Sequence, residues 1–175
     1  AALGAAEVAA TRIGLAWDHE PFEMPENILS AWRKVGRRGA KDRKAWEARL
    51  NASKQAADFT RAMKGDLPEG AFDALNAKIA ELVETQPAQA TRQSSGAALD
   101  QLFGAIPELV GGSADLTGSN NTYVAGTPIL DAPGYEGRYV NYGIREFGMA
   151  AAMNGLALHG GVIPYGGTFM AFADY

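Results

Sequence analysis

Apolar positions change rhythm along this chain. Up to about residue 87 they recur at helical spacing among charged positions: Trp46 and Leu50 share one face of a charged helix that stops at Gly65, and Pro25 lies just inside an earlier helix start. Phe72, Leu75, Ile79, Leu82 and Val83 mark a further helix that ends before Pro87. From Thr91 the hydroxyls of residues 91–95 offer N-caps. Leu99, Leu102, Phe103 and Ile106 then form the apolar stripe of a helix ending at Pro107. Leu109-Val110-Gly111-Gly112 predicts a short buried strand, followed by a loop rich in Gly, Asn and Pro up to Gly137. Tyr139-Val140-Asn141-Tyr142 predicts a second strand, residues 145–158 a helix, and Val162-Ile163-Pro164-Tyr165 a third strand. Helices alternating with short apolar strands predict an α/β layer with a largely parallel sheet.

Charge sharpens the division. Of the 36 Asp, Glu, Lys and Arg residues, 27 lie at or before Arg92 and nine in the 83 positions after it. Two halves result: a helical, exposed one over residues 1–87 that reads as a helical connector, and the α/β layer from Thr91 on. Residues 147–173 carry no formal charge, a length that could cross ~30 Å of hydrocarbon. Asn154, His159, Gly160-Gly161, Pro164 and Gly166-Gly167 interrupt that run with turn chemistry, so it reads as a buried helix-turn-strand unit and no membrane is expected. The cluster Arg33, Lys34, Arg37, Arg38, Lys41, Arg43 and Lys44 reads as a solvated helical face. A net charge of −4 gives no reason to expect nucleic acid as a partner.

Composition narrows the chemistry. Cysteine is absent, and only His19 and His159 could supply imidazole, so no metal ligands and no Ser-His-Asp triad are expected within the chain. The 21 glycines are about 12% of 175 residues, without collagen-like period, and must serve turns and close backbone approach. The first ten residues contain Glu7 and no basic n-region, which predicts a cytoplasmic protein. The chain starts without methionine and stops within the apolar run of residues 168–175, so an internal piece of a longer polypeptide is expected.

Asn141-Tyr142-Gly143-Ile144-Arg145-Glu146-Phe147-Gly148-Met149 places one carboxylate where a strand end turns into an almost uncharged helix. On position alone, Glu146 is a first-turn glutamate stabilised by the macrodipole, an effect of ~0.3 to 1 kcal/mol. Its neighbours point further: a glutamate desolvated by Phe147, Met149 and a run of alanines can exchange a proton with a ring nitrogen near neutral pH. The run over residues 111–120 lies at the carboxyl end of the first strand, where open α/β sheets place ligand crevices. It is neither a Walker loop nor a Gly-x-Gly-x-x-Gly fingerprint. Asp115 reads as a cap for backbone amides there. The Arg92 guanidinium suits a phosphate, with the Ser119 hydroxyl as a second contact. Phe169, Phe172 and Tyr175 recur at i, i+3 and i+6, a helical stripe that is core unless a flat heterocycle needs a stacking wall.

The ordered set of these blocks resembles transketolase: Gly111 to Asp115 with Ser119-Asn120, then Tyr142 to Met149, then Leu158-His159-Gly160-Gly161, then Thr168 to Tyr175. Leu3 to Arg12 and Trp17-x-x-x-Pro21-Phe22-Glu23-Met24-Pro25 are similar to the end of that family's diphosphate-binding domain. The resemblance implies the tail of that domain over 1–66, the connector over 67–90, and over 91–175 the start of a mainly parallel, three-layer pyrimidine-binding domain.

It implies transfer of a two-carbon ketol unit from a ketose phosphate to an aldose phosphate, in the pentose phosphate pathway or the Calvin cycle. The cofactor would be thiamine diphosphate with Mg²⁺ or Ca²⁺, acting through its ylid. Glu146 would hydrogen-bond the pyrimidine nitrogen N1′, Phe172 would stack on the ring, and Phe169 and Tyr175 would complete the apolar pocket. Arg92 and Ser119 would hold the sugar phosphate, and Asp115 would line the cofactor crevice. The metal ligands lie outside the chain, since no Gly-Asp-Gly motif occurs, and His159 reads as structural, at a helix carboxyl end. A homodimer sharing cofactor between subunits is implied, and the chain alone should be inactive. Deoxyxylulose-phosphate synthase and dihydroxyacetone synthase share the fold and the glutamate. A non-enzymatic α/β binding module with a basic helical arm is the alternative of a different class.

Overall fold

The computed structural model describes residues 2–172 and contains two compact units, Ala1–Ser53 and Lys54–Tyr175. The first holds α1 (Ala5–Gly14), α2 (Glu26–Arg37) and α3 (Ala40–Ala52). Pro25 is the N-cap of α2 at φ −54, the angle its ring imposes in any case. No described residue of this unit is buried. The charged helix expected to run on to Gly65 is in fact two: the chain becomes extended at Ser53 (ψ 139) and restarts as α4 (Ala56–Lys64). Gly65 ends α4 in the left-handed region at φ +79, where the missing Cβ removes the steric penalty.

The second unit continues with α5 (Asp73–Thr85), α6 (Thr91–Ala105), β1 (Leu109–Ser113), the single turn α7 (Thr117–Asn120), β2 (Tyr139–Asn141), α8 (Glu146–His159), β3 (Ile163–Gly167) and a 3₁₀ turn (Met170–Phe172). No hydroxyl caps α6, contrary to expectation. Its N-cap is Ala90, whose N–H donates to the Gln93 side-chain oxygen at 2.8 Å, so a carboxamide three residues on does the work assigned to Thr91–Ser95.

The sheet has the order β2-β1-β3 with both pairings parallel, as the helix-strand alternation predicts. Gly111 lies between Tyr139 and Tyr165, and Gly112 between Val140 and Gly166. A Cβ at Gly111 would fall 2.0 Å from the Tyr165 carbonyl oxygen, and one at Gly112 1.8 Å from that of Val140. The central strand therefore has to be glycine here, which accounts for part of the surplus.

Successive strand residues face opposite sides. Tyr165 meets Phe103 of α6 edge-on, with ring centroids 6.4 Å apart, whereas a side chain at Gly166 would strike Met149 and Met153 of α8. Helix α6 thus covers one face and α8 the other, giving three layers. The core lies on the α6 side, where Ala71, Phe103, Ile106 and Leu109 are buried and Leu99, Leu102, Val124 and Tyr165 pack around them. Arg138 closes this layer: its guanidinium lies 3.7 Å over the Phe103 ring and donates to the carbonyls of Phe103, Ile106 and Pro107 at 3.2 Å each. A cation at those carbonyls also complements the helix dipole. At the amino ends of the strands, Arg61 of α4 pairs with Glu108.

Candidate functional site

The site forms where the three strands end. After β1 the chain turns to the α6 side, where Thr117 and Thr122 bond the buried Tyr139 hydroxyl at 2.6 and 3.0 Å. After β2 it turns the other way into α8. Adjacent strands whose exits diverge to opposite faces leave a crevice between them, the switch point at which parallel α/β sheets bind ligands. Ser113, 1% exposed, fixes that geometry: its hydroxyl donates to the Gly167 carbonyl at 3.2 Å and accepts from the Leu116 N–H at 2.9 Å and the Asn120 amide at 3.1 Å.

Glu146 stands at the first position of α8 and is 9% exposed. Gly143, at φ +70, lets the chain turn from β2 into the helix; a Cβ there would lie 2.4 Å from the Arg145 guanidinium, which donates to the Tyr142 carbonyl at 2.9 Å. Thr168, just beyond β3, donates its hydroxyl to Glu146 Oε1 at 3.2 Å. A cavity of about 360 Å³ opens beside this carboxylate, lined by Ala114, Asp115, Leu116, Ile144, Glu146 and Phe172. Every strand end contributes to it. Asp115 occupies it at φ +62, a left-handed conformation uncommon for a non-glycine residue.

A second cleft of about 640 Å³ lies towards α6. Arg92 and Ser95 from the start of that helix, Ser119 to Thr122 from α7 and its exit, and Gly167 to Phe169 beyond β3 line it. Arg92 and Ser119, 27 positions apart in sequence, therefore share one cavity. Phe169 also lies in this cleft, while Phe172 lies in the smaller one, and their rings stack at 6.4 Å with planes 21° apart. The stripe expected on an α-helix sits instead on a 3₁₀ turn, where residues i and i+3 eclipse, which is why the two rings stack. Both are over 40% exposed. Tyr175 lies outside the described residues.

Thr168, Asn120 and Ile144 line these cavities, and sequence reasoning left them without a role. His159 ends α8, as expected. Among the described residues no three or more His, Asp or Glu side chains converge as metal ligands, and no helix is long and apolar enough to cross a membrane.

Fold and site together define a parallel α/β domain with a buried carboxylate and two stacked aromatic rings beyond the carboxyl ends of its strands. The family model for the transketolase pyrimidine binding domain matches residues 87–175, and that for the transketolase thiamine diphosphate binding domain matches residues 1–68. The chain belongs to the transketolase family. It is 53% identical over its whole length to a transketolase of Cereibacter sphaeroides and 49% identical to one of Sinorhizobium medicae. It spans about a quarter of these relatives, 26% and 25% of their lengths. Among solved structures it resembles a Pichia stipitis transketolase in complex with sedoheptulose-7-phosphate, with TM-score 0.74 at 34% identity over 89% of this chain and 24% of that one. Leishmania mexicana transketolase gives TM-score 0.76 at 34% identity over 97% and 25%.

Proposed function

We propose that this chain carries the pyrimidine-binding half of a thiamine diphosphate site, in an enzyme that moves a two-carbon ketol unit between phosphorylated sugars. The observation that carries the reading is Glu146: a carboxylate 9% exposed, held by Thr168, opening into one cavity with Phe172 and Ile144. A flat, nitrogen-bearing heterocycle needs such a site, with apolar walls for its faces and one hydrogen-bonding carboxyl for its edge. When bound, thiamine diphosphate supplies a carbon nucleophile and an electron sink for breaking and remaking a bond beside a carbonyl.

The chain's own residues orient and tune. Glu146 holds the pyrimidine nitrogen N1′ and exchanges a proton with it. Phe172 stacks on the ring, with Phe169 and Tyr175 extending the aromatic wall, and Asp115 lines the crevice. Arg92 and Ser119 hold the sugar phosphate in the neighbouring cleft, where Arg92, at the second position of α6, adds its charge to the positive end of the helix dipole.

The reading also includes the domain division at 66 and 90, Mg²⁺ or Ca²⁺ held by residues outside this chain, and a homodimer. Ile144, which lines the cavity, is 80% exposed and Phe147, next to Glu146 in α8, is 70% exposed, apolar surface that the partner subunit's diphosphate domain would cover. In the complete enzyme Glu146→Gln should lower turnover by about 10²–10⁴-fold, the usual size of an acid–base contribution, while thiamine diphosphate still binds. Unchanged turnover would overturn the proposal.

A further inference from the structure

Ser119 sits on a helix too short to hold itself. α7 is a single four-residue turn, Thr117–Asn120, with no side-chain cap at its start and a left-handed residue, Asn121 at φ +54, at its exit. Such a turn is unstable in isolation, because nucleation fixes several dihedrals for one hydrogen bond. The strands beneath it supply what it lacks. The hydroxyl of Tyr139, a β2 residue 2% exposed, bonds Thr117 at the first position of the turn at 2.6 Å and Thr122 just beyond its exit at 3.0 Å. Each hydroxyl has one proton to give. Thr122 gives its proton to Asn120 Oδ1 at 3.1 Å, so Tyr139 donates to Thr122 and Thr117 donates to Tyr139. The Asn120 amide in turn donates to Ser113 Oγ at 3.1 Å, and Ser113 donates to the Gly167 carbonyl at 3.2 Å. One directed chain therefore ties both ends of the turn to all three strands, with Ser119 between the tied ends.

We infer that Tyr139 is a positioning residue for the sugar-phosphate cleft: its hydroxyl holds the α7 turn so that Ser119 and Arg92 line one cavity. The inference rests on the phosphate-holding role of Arg92 and Ser119 proposed above. Two features separate this role from that of an ordinary core tyrosine. The Tyr139 ring is packed independently of its oxygen, with Tyr123 edge-on at 5.0 Å, so a phenylalanine would fill the same space. Both hydroxyl bonds, moreover, end on the one short segment that carries Ser119. That segment rests directly on the helix that carries Arg92: a Cβ at Gly96 of α6 would lie 3.0 Å from Asn121 Cβ and 3.3 Å from its carbonyl oxygen. Arg92 is set by α6 and Ser119 by the turn, so anchoring the turn to β2 fixes the spacing of two groups that have to meet one phosphate.

The test uses the complete enzyme and compares KM and kcat for a phosphorylated aldose and for its unphosphorylated counterpart as acceptor. Ser119→Ala should raise KM for the phosphorylated sugar about tenfold, the low end for a hydrogen bond to a charged group. Tyr139→Phe should raise the same KM about fivefold, the size of one net hydrogen bond, and move KM for the unphosphorylated sugar by less than twofold. Thr117→Val, which cuts the chain at the turn itself and leaves the core ring in place, should give the same split. The double variant Tyr139→Phe with Ser119→Ala should match Ser119→Ala alone to within about twofold, because once the Ser119 hydroxyl is gone there is nothing left to position. If Ser119→Ala raises KM while Tyr139→Phe and Thr117→Val do not, the positioning role fails and the role of Ser119 stands. Additive effects in the double variant, an equal rise for both sugars, or a lower melting temperature with no change in the ratio of the two KM values would also overturn it, leaving Tyr139 a core residue. If neither Arg92→Ala nor Ser119→Ala alters KM for the phosphorylated sugar, the phosphate reading itself falls and this inference with it.

Discussion

Gly112→Ala places a methyl group against backbone that has nowhere to go. The new Cβ would lie 1.8 Å from the Val140 oxygen, 2.8 Å from its carbonyl carbon and 3.2 Å from its nitrogen. Ordinary contact begins near 3.4 Å, so β1 and β2 would have to part by about 1.6 Å. Inter-strand hydrogen bonds of ~2.9 Å would then exceed any useful length. β2 has only three residues and its register rests on three pairs, so the bonds at its two ends, Gly111 N–H to Arg138 O and Tyr142 N–H to Ser113 O, would go with it. Two net hydrogen bonds at about 1 kcal/mol each, with an overpacking cost of about 1–3 kcal/mol, give a destabilisation of about 3–5 kcal/mol. β2 runs directly into Gly143 and Glu146, so cofactor affinity should fall with stability. The assay is thermal unfolding and thiamine diphosphate binding of the complete enzyme, with Gly104→Ala as the reference. Gly104 lies in α6 with nothing within 4 Å of its Cβ position, and alanine there should stabilise by about 0.5–1 kcal/mol. Equal melting temperatures for Gly112→Ala and the wild type would refute the close approach.

Two further outcomes follow from the site and its flank. Arg92→Ala should raise KM for phosphorylated sugars about tenfold with kcat unchanged, because a contact to a remote phosphate is uniform binding. An equal rise with an unphosphorylated sugar as acceptor would remove Arg92 from phosphate recognition. Burial pushes the Tyr165 phenol from an ordinary value of about 10 up to about 12, with Tyr139 and Tyr142 adding to the rise and Arg138 opposing it. Between those values the unfolded chain loses the proton and the folded one keeps it, so this group's contribution to stability declines as pH rises from about 10 to about 12. Tyr165→Phe should flatten unfolding midpoints over that window and also lose the bond to the Thr122 carbonyl. The same slope in both proteins would show that another group sets it.

Periodicity was enough for elements that obey one local rule. The α5 stripe, the apolar run of β1 and the glycine stop at Gly65 are decided by residues a few positions apart, and all three stand close to where the pattern puts them. It failed where a longer partner competed. Thr91 has the right chemistry for a cap, yet Gln93 reaches back to Ala90 and takes the role. The aromatic stripe was read at α-helical pitch because i, i+3 spacing is shared by the 3₁₀ turn, whose tighter winding stacks the two half-exposed rings. The site shows the same limit in another form. Glu146 could be nominated because its own neighbours mark it: a glycine turn before it and an uncharged helix after it. Thr168 was not, because it lies 22 positions away and nothing local distinguishes it from any other threonine beside a glycine. Only the pairing of Gly167 with Ser113 across β1 brings it to Glu146. A carboxylate can thus be nominated from its own segment, but the hydroxyl that reaches it from beyond β3 is a property of the sheet. Substitutions that disturb the register of β3 should therefore impair Glu146 as surely as substitutions beside it.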